Sequence, residues 1–180
     1  PHTFGWNLGG HTGRVYVPPV DVTLGQSLPA FTRCSLDDDP GTATKLAKPK
    51  EYKDGKYTRK DRYDGVPYGQ FNAYLAWRTD GLIDQADRWE ITVYLTAGKR
   101  GAPKDECTVD ITPRRLQELS IKPGEKFTWT NVEGSRLAGA VSGGKAVQSG
   151  QAVADKHGLV TLEKVTVTKV RNRIKLRRAK

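Results

Sequence analysis

Histidines, cysteines and clustered carboxylates are the side chains of this sequence that could perform catalysis or hold a metal. His2, His11 and His157 show no HxH or HExxH spacing, and no GxSxG motif supplies a serine nucleophile. Asp37, Asp38 and Asp39 are a weak calcium candidate, because their spacing matches no known calcium loop. We therefore predict no cofactor, and we do not favour a self-contained enzyme.

The two cysteines, Cys34 and Cys107, lie far apart in the sequence and form no CxxC motif. They are either two buried thiols or one disulfide bond. A disulfide between them would stabilise the fold by roughly 4 kcal/mol through loop closure. It would also suit an exported protein, since disulfides persist in oxidising compartments.

The net charge of +10 is concentrated in two short segments. Residues 45–62 carry eight basic and three acidic side chains, and residues 164–180 carry eight basic and no acidic ones. Such segments are either solvated surface or attract a polyanion, such as an acidic polysaccharide. Nucleic acid is not favoured, because no recognition helix or ribonucleoprotein motif is present. The predicted contact residues are Lys48, Lys50, Tyr52, Lys53, Lys56, Tyr57, Arg59, Arg173, Lys175 and Arg177.

Short strands separated by turns must position these side chains. Apolar residues occupy every second position from Trp89 to Leu95, which predicts a strand over 88–95. Ile174 and Leu176 predict a final strand over 173–178, whose remaining residues form a basic stripe on the outer face. Other strands are predicted over 15–17, 20–24, 108–112, 126–130, 145–149, 152–154, 159–162 and 165–168, with a helical turn over 113–119 and turns at 122–125 and 155–158.

This succession of short strands predicts an all-β fold, an antiparallel β-sandwich that is most simply immunoglobulin-like. We expect an N-terminal extension with short strands over 1–44, a basic exposed loop or insert over 45–66, and the sandwich over 67–180. No apolar run approaches the roughly 20 residues that cross a membrane. Because the chain begins at Pro1 and has no Met, we expect a mature product or an excised fragment.

Four stretches of the sequence carry a resemblance to a known group of proteins. They are LAWRTDGLIDQADRWEITVYL, APKDECTVDITPRR, KPGEKFTWT and ADKHGLVTLEKVTVTKVRNRIKL. Together they resemble the β-rich C-terminal accessory region of large secreted bacterial enzymes of the α/β-hydrolase type, of the kind found in planctomycetes. The resemblance implies an extracellular chain whose catalytic domain lies upstream. By analogy, the segment around His2 corresponds to the end of the hydrolase domain, where the catalytic histidine of such enzymes occurs late in the chain. His2 is therefore a minor catalytic candidate.

These observations lead to one expected function and two alternatives. We expect a non-catalytic accessory module of an extracellular hydrolase that contacts a polysaccharide, and the basic segments favour an acidic one. The first alternative is an extracellular structural subunit that associates with itself through its sheet edges. The second is a fragment of a hydrolase whose nucleophile lies in a missing domain.

Overall fold

The computed structural model describes residues 22–37, 71–98, 101–134 and 145–179, and these residues form eight β-strands. No helix occurs within these ranges. The strands are β1 (Leu28–Thr32), β2 (Leu75–Gln85), β3 (Arg88–Leu95), β4 (Glu106–Arg114), β5 (Lys126–Glu133), β6 (Ala146–Val153), β7 (Leu162–Thr168) and β8 (Asn172–Arg178).

The strands are arranged in two antiparallel sheets. One sheet has the order β1-β4-β7 and the other the order β2-β3-β8-β5-β6. Among the described strands, two consecutive strands lie in the same sheet only at β2–β3 and β5–β6. At every other connection the chain crosses from one sheet to the other. The predicted all-β antiparallel sandwich is therefore confirmed. Its immunoglobulin-like detail and the three predicted chain divisions stay predictions.

One hydrophobic core joins the facing sides of the two sheets. Ile91 of β3 and Ile174 of β8 contribute from the larger sheet, and Val109 of β4 and Val165 of β7 from the smaller one. All four side chains are fully buried. Each such burial contributes about 1.5–3 kcal/mol to folding, so the alternating apolar positions determine which face of each strand points inward.

Two predicted turns lie where their sequences place them. At the first, the Glu125 amide donates to Lys122 O over 3.1 Å, and Gly124 has a φ of +77°. This conformation favours glycine, as a type II turn requires after proline. At the second turn, the Gly158 amide donates to Asp155 O over 3.0 Å.

The beginning of the described chain differs from the predicted pattern. Residues 22–25 do not continue the strand predicted over 20–24, because a turn forms there, with Gln26 N donating to Thr23 O over 3.3 Å. The first strand of the structure is β1, which lies within a segment where no strand was predicted. The helical turn predicted over 113–119 was also wrong, since β4 continues through Arg114.

Two prolines explain why β1 is hard to recognise. Pro29 and Pro113 lie directly opposite each other in the antiparallel pair of β1 and β4. Neither can donate a backbone hydrogen bond, so they are tolerated where both nitrogens point away from the partner strand. In the sequence alone, Pro29 indicates a turn and Pro113 indicates the start of a helix. Pairing between β1 and β4 places both residues in strands instead.

The exposed side of β7 is closed by amide side chains from the other sheet. Gln148 of β6 accepts from Thr166 N over 2.9 Å and donates to Lys164 O over 2.9 Å. Asn131 of β5 donates to Thr166 O over 2.7 Å. These bonds satisfy backbone groups that an edge strand otherwise presents to solvent, and they fasten the two sheets along this side.

Candidate functional site

β3, β8, β5 and β6 are four adjacent strands of the five-stranded sheet, and their outward side chains form one continuous surface, the outer face. Trp129 and Leu176 face each other in the register and point into the core. A Cβ added to Gly150 would lie 2.7 Å from the Trp129 indole nitrogen, so this position of β6 faces inward too. Because side chains alternate along a strand, the residues on either side of these positions point outward.

Glu90 of β3 is the centre of an ionic cluster on this face. Its carboxylate is buried and lies 3.3 Å from Arg173 Nε, 3.6 Å from Arg177 Nη2 and 4.0 Å from Arg88 Nε. The register also places Lys175 directly opposite Glu90. Three arginines thus lie near one carboxylate and Lys175 lies opposite it in the register, so this part of the face carries an excess of positive charge.

Arg173 corrects one part of the predicted basic stripe. Its side chain points outward as expected, but it is only 3% exposed. Besides pairing with Glu90, it donates to Gly81 O over 2.6 Å and to Thr92 Oγ1 over 3.4 Å. The guanidinium is therefore already bound within the protein, because a buried charge requires partners of this kind.

Lys175 and Arg177 differ from Arg173 in their access to solvent. Lys175 is half-buried, and the Arg177 side chain is 54% exposed. Glu90 is already paired with the buried Arg173, so the charges of the two outer residues are not fully neutralised. A planar guanidinium next to an ammonium group is suited to binding carboxylate or sulfate oxygens.

The end of β8 is held firmly in place beside these residues. Arg178 pairs with Glu125 and donates to Ser120 O over 2.5 Å and to Ala86 O over 3.1 Å. Its guanidinium also lies 5.7 Å from the centre of the Phe127 ring, within the range of a cation–π contact. These contacts fix the backbone position of Arg177, which precedes Arg178.

Uncharged polar residues continue the outer face from β8 toward β6. Thr128 lies opposite Arg177, and Gln151 lies opposite Thr128. In the next row, Thr130 lies opposite Lys175, and Ser149 lies opposite Thr130. The face therefore changes from cationic on β3 and β8 to neutral and hydrogen-bonding on β5 and β6.

Most of the sequence-predicted contact residues are not placed by the structure. His2, the minor catalytic candidate, lies outside the described residues. So do the contact residues of the internal basic segment, which are Lys48, Lys50, Tyr52, Lys53, Lys56, Tyr57 and Arg59. Their roles stay predictions. Of the ten predicted contact residues, only Arg173, Lys175 and Arg177 lie in described strands, and the structure places them together.

The calcium candidate is described only in part. Asp37 accepts a hydrogen bond from Asn72 N over 2.6 Å, whereas Asp38 and Asp39 lie outside the described residues. Across residues 22–37, 71–98, 101–134 and 145–179, no three His, Cys, Asp or Glu side chains lie close enough to hold a metal ion. Asp37 instead links the chain after β1 to the start of β2.

Cys34 and Cys107 are both buried, free thiols whose side chains form a hydrogen bond with each other. This bond lowers the pKa of Cys34, because it stabilises that thiolate. The same bond, together with burial, raises the pKa of Cys107. The predicted disulfide would join two buried side chains that interact with each other.

A cleft of about 440 Å³ lies beside β6, where the sandwich opens between its sheets. Trp129 and Gly150 lie on one side of it, and Thr161 and Glu163 on the other. Trp129 is only 5% exposed, so little of its ring surface is available for stacking. Glu163 is also engaged, since its carboxylate lies 3.1 Å from Arg33 Nη2.

Sequence reasoning missed the members of the outer face that lie on β3 and β5. Arg88 and Glu90 alternate with the apolar residues that predicted β3, so their outward direction was available from the pattern. The pattern could not show that these residues lie beside β8, because the order of strands in a sheet depends on contacts between distant parts of the chain. Thr128 and Thr130 have the same alternating signal in β5.

Comparisons of the chain with models of protein families, with curated proteins and with solved structures give no match. None of the described segments forms a helix with the length and hydrophobicity that a membrane crossing needs.

Proposed function

We propose that this chain is a non-catalytic binding module of an extracellular hydrolase and that it contacts an acidic polysaccharide. The observation that carries the proposal is the cationic cluster of the outer face. Arg173 and Glu90 neutralise each other in the interior, while Lys175 and Arg177 keep charge at the surface. The resemblance of the four sequence stretches to secreted hydrolase regions supports the extracellular and accessory parts of the proposal.

Electrostatic attraction accounts for the choice of an acidic ligand. An oligosaccharide that bears carboxylate or sulfate groups can place one of them between Lys175 and Arg177. Charge-assisted hydrogen bonds of this type are about twice as strong as neutral ones. Salt screens interactions between exposed charges over about 10 Å at 0.1 M, so we expect the affinity to fall as the ionic strength rises.

Affinity electrophoresis through gels that contain polyuronate, sulfated polysaccharide or neutral glucan tests this proposal. We expect the acidic gels to retard the chain and the neutral gel to leave its mobility unchanged. Lys175→Gln/Arg177→Gln should weaken retardation about tenfold, a loss of about 1.4 kcal/mol. If no acidic gel retards the parent chain, the proposal is wrong.

The matched control is Lys104→Gln/Lys156→Gln, which removes the same charge from two exposed lysines outside the outer face. This control should bind like the parent, because the proposed contact depends on position as well as on net charge. A third variant replaces Lys48, Lys50, Lys53, Lys56 and Arg59 by Gln. It measures the contribution of the internal basic segment separately from that of β8.

A second candidate function, self-association through a sheet edge, is favoured by the composition of β6. Within the described residues β6 is an edge strand, and its sequence AVQSGQAV contains neither a charged residue nor proline. The other edges are protected differently, by Pro29 in β1, by Arg78 and Asp80 in β2, and by the Gln148 amide along β7. Uncharged, proline-free edges are those on which another strand can add.

Sizing by light scattering at low and high salt tests this second candidate. Val153 and Val22 are exposed to nearly the same extent, 57% and 56%, but only Val153 lies in β6. We expect Val153→Lys to give monomers and Val22→Lys to associate like the parent. A parent chain that is monomeric at both salt concentrations would contradict self-association.

A further inference from the structure

The outer face of the larger sheet contains two parallel rows of polar side chains. The first row runs from Arg88 through Arg177 and Thr128 to Gln151, and the second from Glu90 through Lys175 and Thr130 to Ser149. Neighbouring strands lie about 4.8 Å apart, so each row extends about 14 Å across four strands. That is the length of a short oligosaccharide that lies perpendicular to the strands.

From this arrangement we infer that the face binds one linear uronic-acid oligosaccharide that lies across β8, β5 and β6. A carboxylate of the sugar chain lies between Lys175 and Arg177. Sugar hydroxyls hydrogen-bond to Thr128, Thr130, Ser149 and Gln151. This inference rests on the proposed function and specifies its ligand class, its orientation and its neutral contacts.

The change in charge along the rows selects the ligand. Arg177 and Lys175 attract an anion, whereas the threonine, serine and glutamine side chains carry no charge and both donate and accept hydrogen bonds. A polyanion without hydroxyls, such as polyphosphate, can only accept hydrogen bonds from this neutral half, so it gains less there than a sugar chain that both donates and accepts. A neutral glucan forms no ion pair with the cationic half. A uronic-acid chain carries both kinds of group and uses the full length of the rows.

Access to solvent supports the assignment of the neutral half. Thr128, Ser149 and Gln151 are exposed and Thr130 is half-buried, so their polar groups can be reached by a ligand. All four lie on adjacent antiparallel strands with a continuous register from Thr128 to Thr130. A rigid sheet holds such groups at fixed separations, which reduces the entropy lost on binding.

The cationic half is held in position by Glu90. The carboxylate lies 3.6 Å from Arg177 Nη2, and its pairing with the buried Arg173 leaves it only partly available to neutralise Arg177. Arg88 lies opposite Arg177 in the register, and its Nε is buried without a hydrogen-bond partner among the described residues. The contact with Glu90 thus restrains Arg177 before any ligand arrives.

Calorimetric titration with trigalacturonate and with inorganic tripolyphosphate separates the two halves. Thr128→Val/Gln151→Leu removes hydrogen-bonding groups at constant charge. We expect this variant to bind trigalacturonate about tenfold more weakly, as for the loss of one or two hydrogen bonds, and to lose less affinity for tripolyphosphate, which only accepts hydrogen bonds from these side chains. Lys175→Gln/Arg177→Gln should weaken the binding of both ligands. Thr108→Val, an exposed threonine of β4, is the matched control and should change neither affinity.

The outcomes distinguish this inference from the proposed function. If Thr128→Val/Gln151→Leu leaves trigalacturonate binding unchanged while Lys175→Gln/Arg177→Gln weakens it, the inference is overturned and the proposed function stands. If the parent chain binds neither trigalacturonate nor any acidic polysaccharide, both are wrong. Urea unfolding midpoints of all variants confirm that a lost affinity does not arise from a lost fold.

Discussion

Each sheet of the sandwich carries a buried carboxylate next to arginine, and the two arrangements differ in their balance of charge. Glu90, on the larger sheet, lies near three arginines, one of which is itself buried. Asp110, on the smaller sheet, pairs with Arg33, which is 68% exposed and shared with Glu163. The first arrangement leaves a positive surplus at the surface, whereas in the second Arg33 is paired with two carboxylates. A similar structural element therefore builds a charged surface on one sheet and a closed ionic link on the other.

The largest expected effect comes from breaking the Glu90 cluster. Arg173→Leu leaves a buried carboxylate without its nearest partner, which we expect to lower the free energy of unfolding by about 3–5 kcal/mol. Arg33→Leu should lower it much less, because the Arg33 side chain is mostly in water and Asp110 keeps its hydrogen bond from Lys164 N. Urea unfolding of both variants measures the difference.

The double variant Glu90→Leu/Arg173→Leu is the control for this experiment. It removes the charge along with its partner, so it should recover part of the lost stability. Equal losses for Arg173→Leu and Arg33→Leu would contradict the contrast between the two sheets.

Oxidation of the cysteine pair is expected to have the next largest effect, this time on the smaller sheet. Glutathione disulfide would accept two electrons and form the Cys34–Cys107 bond, with release of two glutathione thiols. Loop closure predicts a gain of about 4 kcal/mol in the free energy of unfolding. Unfolding of the oxidised and reduced chains measures this gain.

Mass measurement provides the accompanying control for the cysteines. The oxidised chain must be lighter by two hydrogens, and Cys107→Ser must show neither this change nor the added stability. A chain that keeps both thiols in glutathione disulfide would show that the predicted disulfide is wrong.

The strands whose alternating residues face the core were predictable from the sequence. Trp89 to Leu95 and Ile174 to Leu176 follow the period of two that one buried face imposes. β1 was not predictable in this way, because its five residues include Pro29, and its strand character depends on pairing with β4. A short strand stabilised by a distant partner has only a weak local signal.

The candidate site could be predicted only in part, for a related reason. The pattern correctly placed Arg173, Lys175 and Arg177 on one side of β8, but it could not distinguish the buried residue from the exposed ones. Arg173 is buried because Glu90 lies 83 positions earlier in the chain and on the neighbouring strand. Side-chain direction follows from local alternation, whereas burial depends on which strands are adjacent.

Asp110 offers a smaller test of the ionic link on the smaller sheet. Its carboxylate also accepts from Lys164 N over 2.8 Å, and Lys164 has a φ of +51°. Asp110→Asn should lower the free energy of unfolding by about 1–3 kcal/mol, because the buried acceptor of Arg33 and Lys164 N loses its negative charge. Thermal unfolding measures this loss, and a variant as stable as the parent would show that Asp110 does not hold this bend.

The smallest expected effect concerns Asp155, whose carboxylate has backbone partners instead of an arginine. Hydrogen bonds from Leu159 N at 2.9 Å and His157 N at 2.8 Å lower the pKa of Asp155. Its contribution to stability is therefore complete well above the unfolded value of about 3.9, and is lost as the pH falls through the lower folded pKa.

Unfolding midpoints of the parent and of Asp155→Asn, measured from pH 7 to pH 2.5, test this dependence. We expect the parent to be slightly more stable at pH 7 and the difference to shrink below about pH 4. A difference that stays constant over this range would show that the Asp155 charge does not contribute. Arg33 gives no comparable pH dependence of stability, because its hydrogen bond to Asp110 raises its pKa still further above the pH range of this experiment.

The Gln148 side chain that spans the two sheets has a consequence for the motions of the protein. Thr166 lies on an edge strand, yet its amide hydrogen is held by Gln148 Oε1. We expect this hydrogen to exchange with deuterated solvent as slowly as those of the central strands. Hydrolysis of the Gln148 amide to an acid would replace the donor to Lys164 O by a second acceptor and repel that carbonyl. Chemical ageing at one side chain would thus remove the bond to Lys164 O and weaken the fastening of the two sheets along this side.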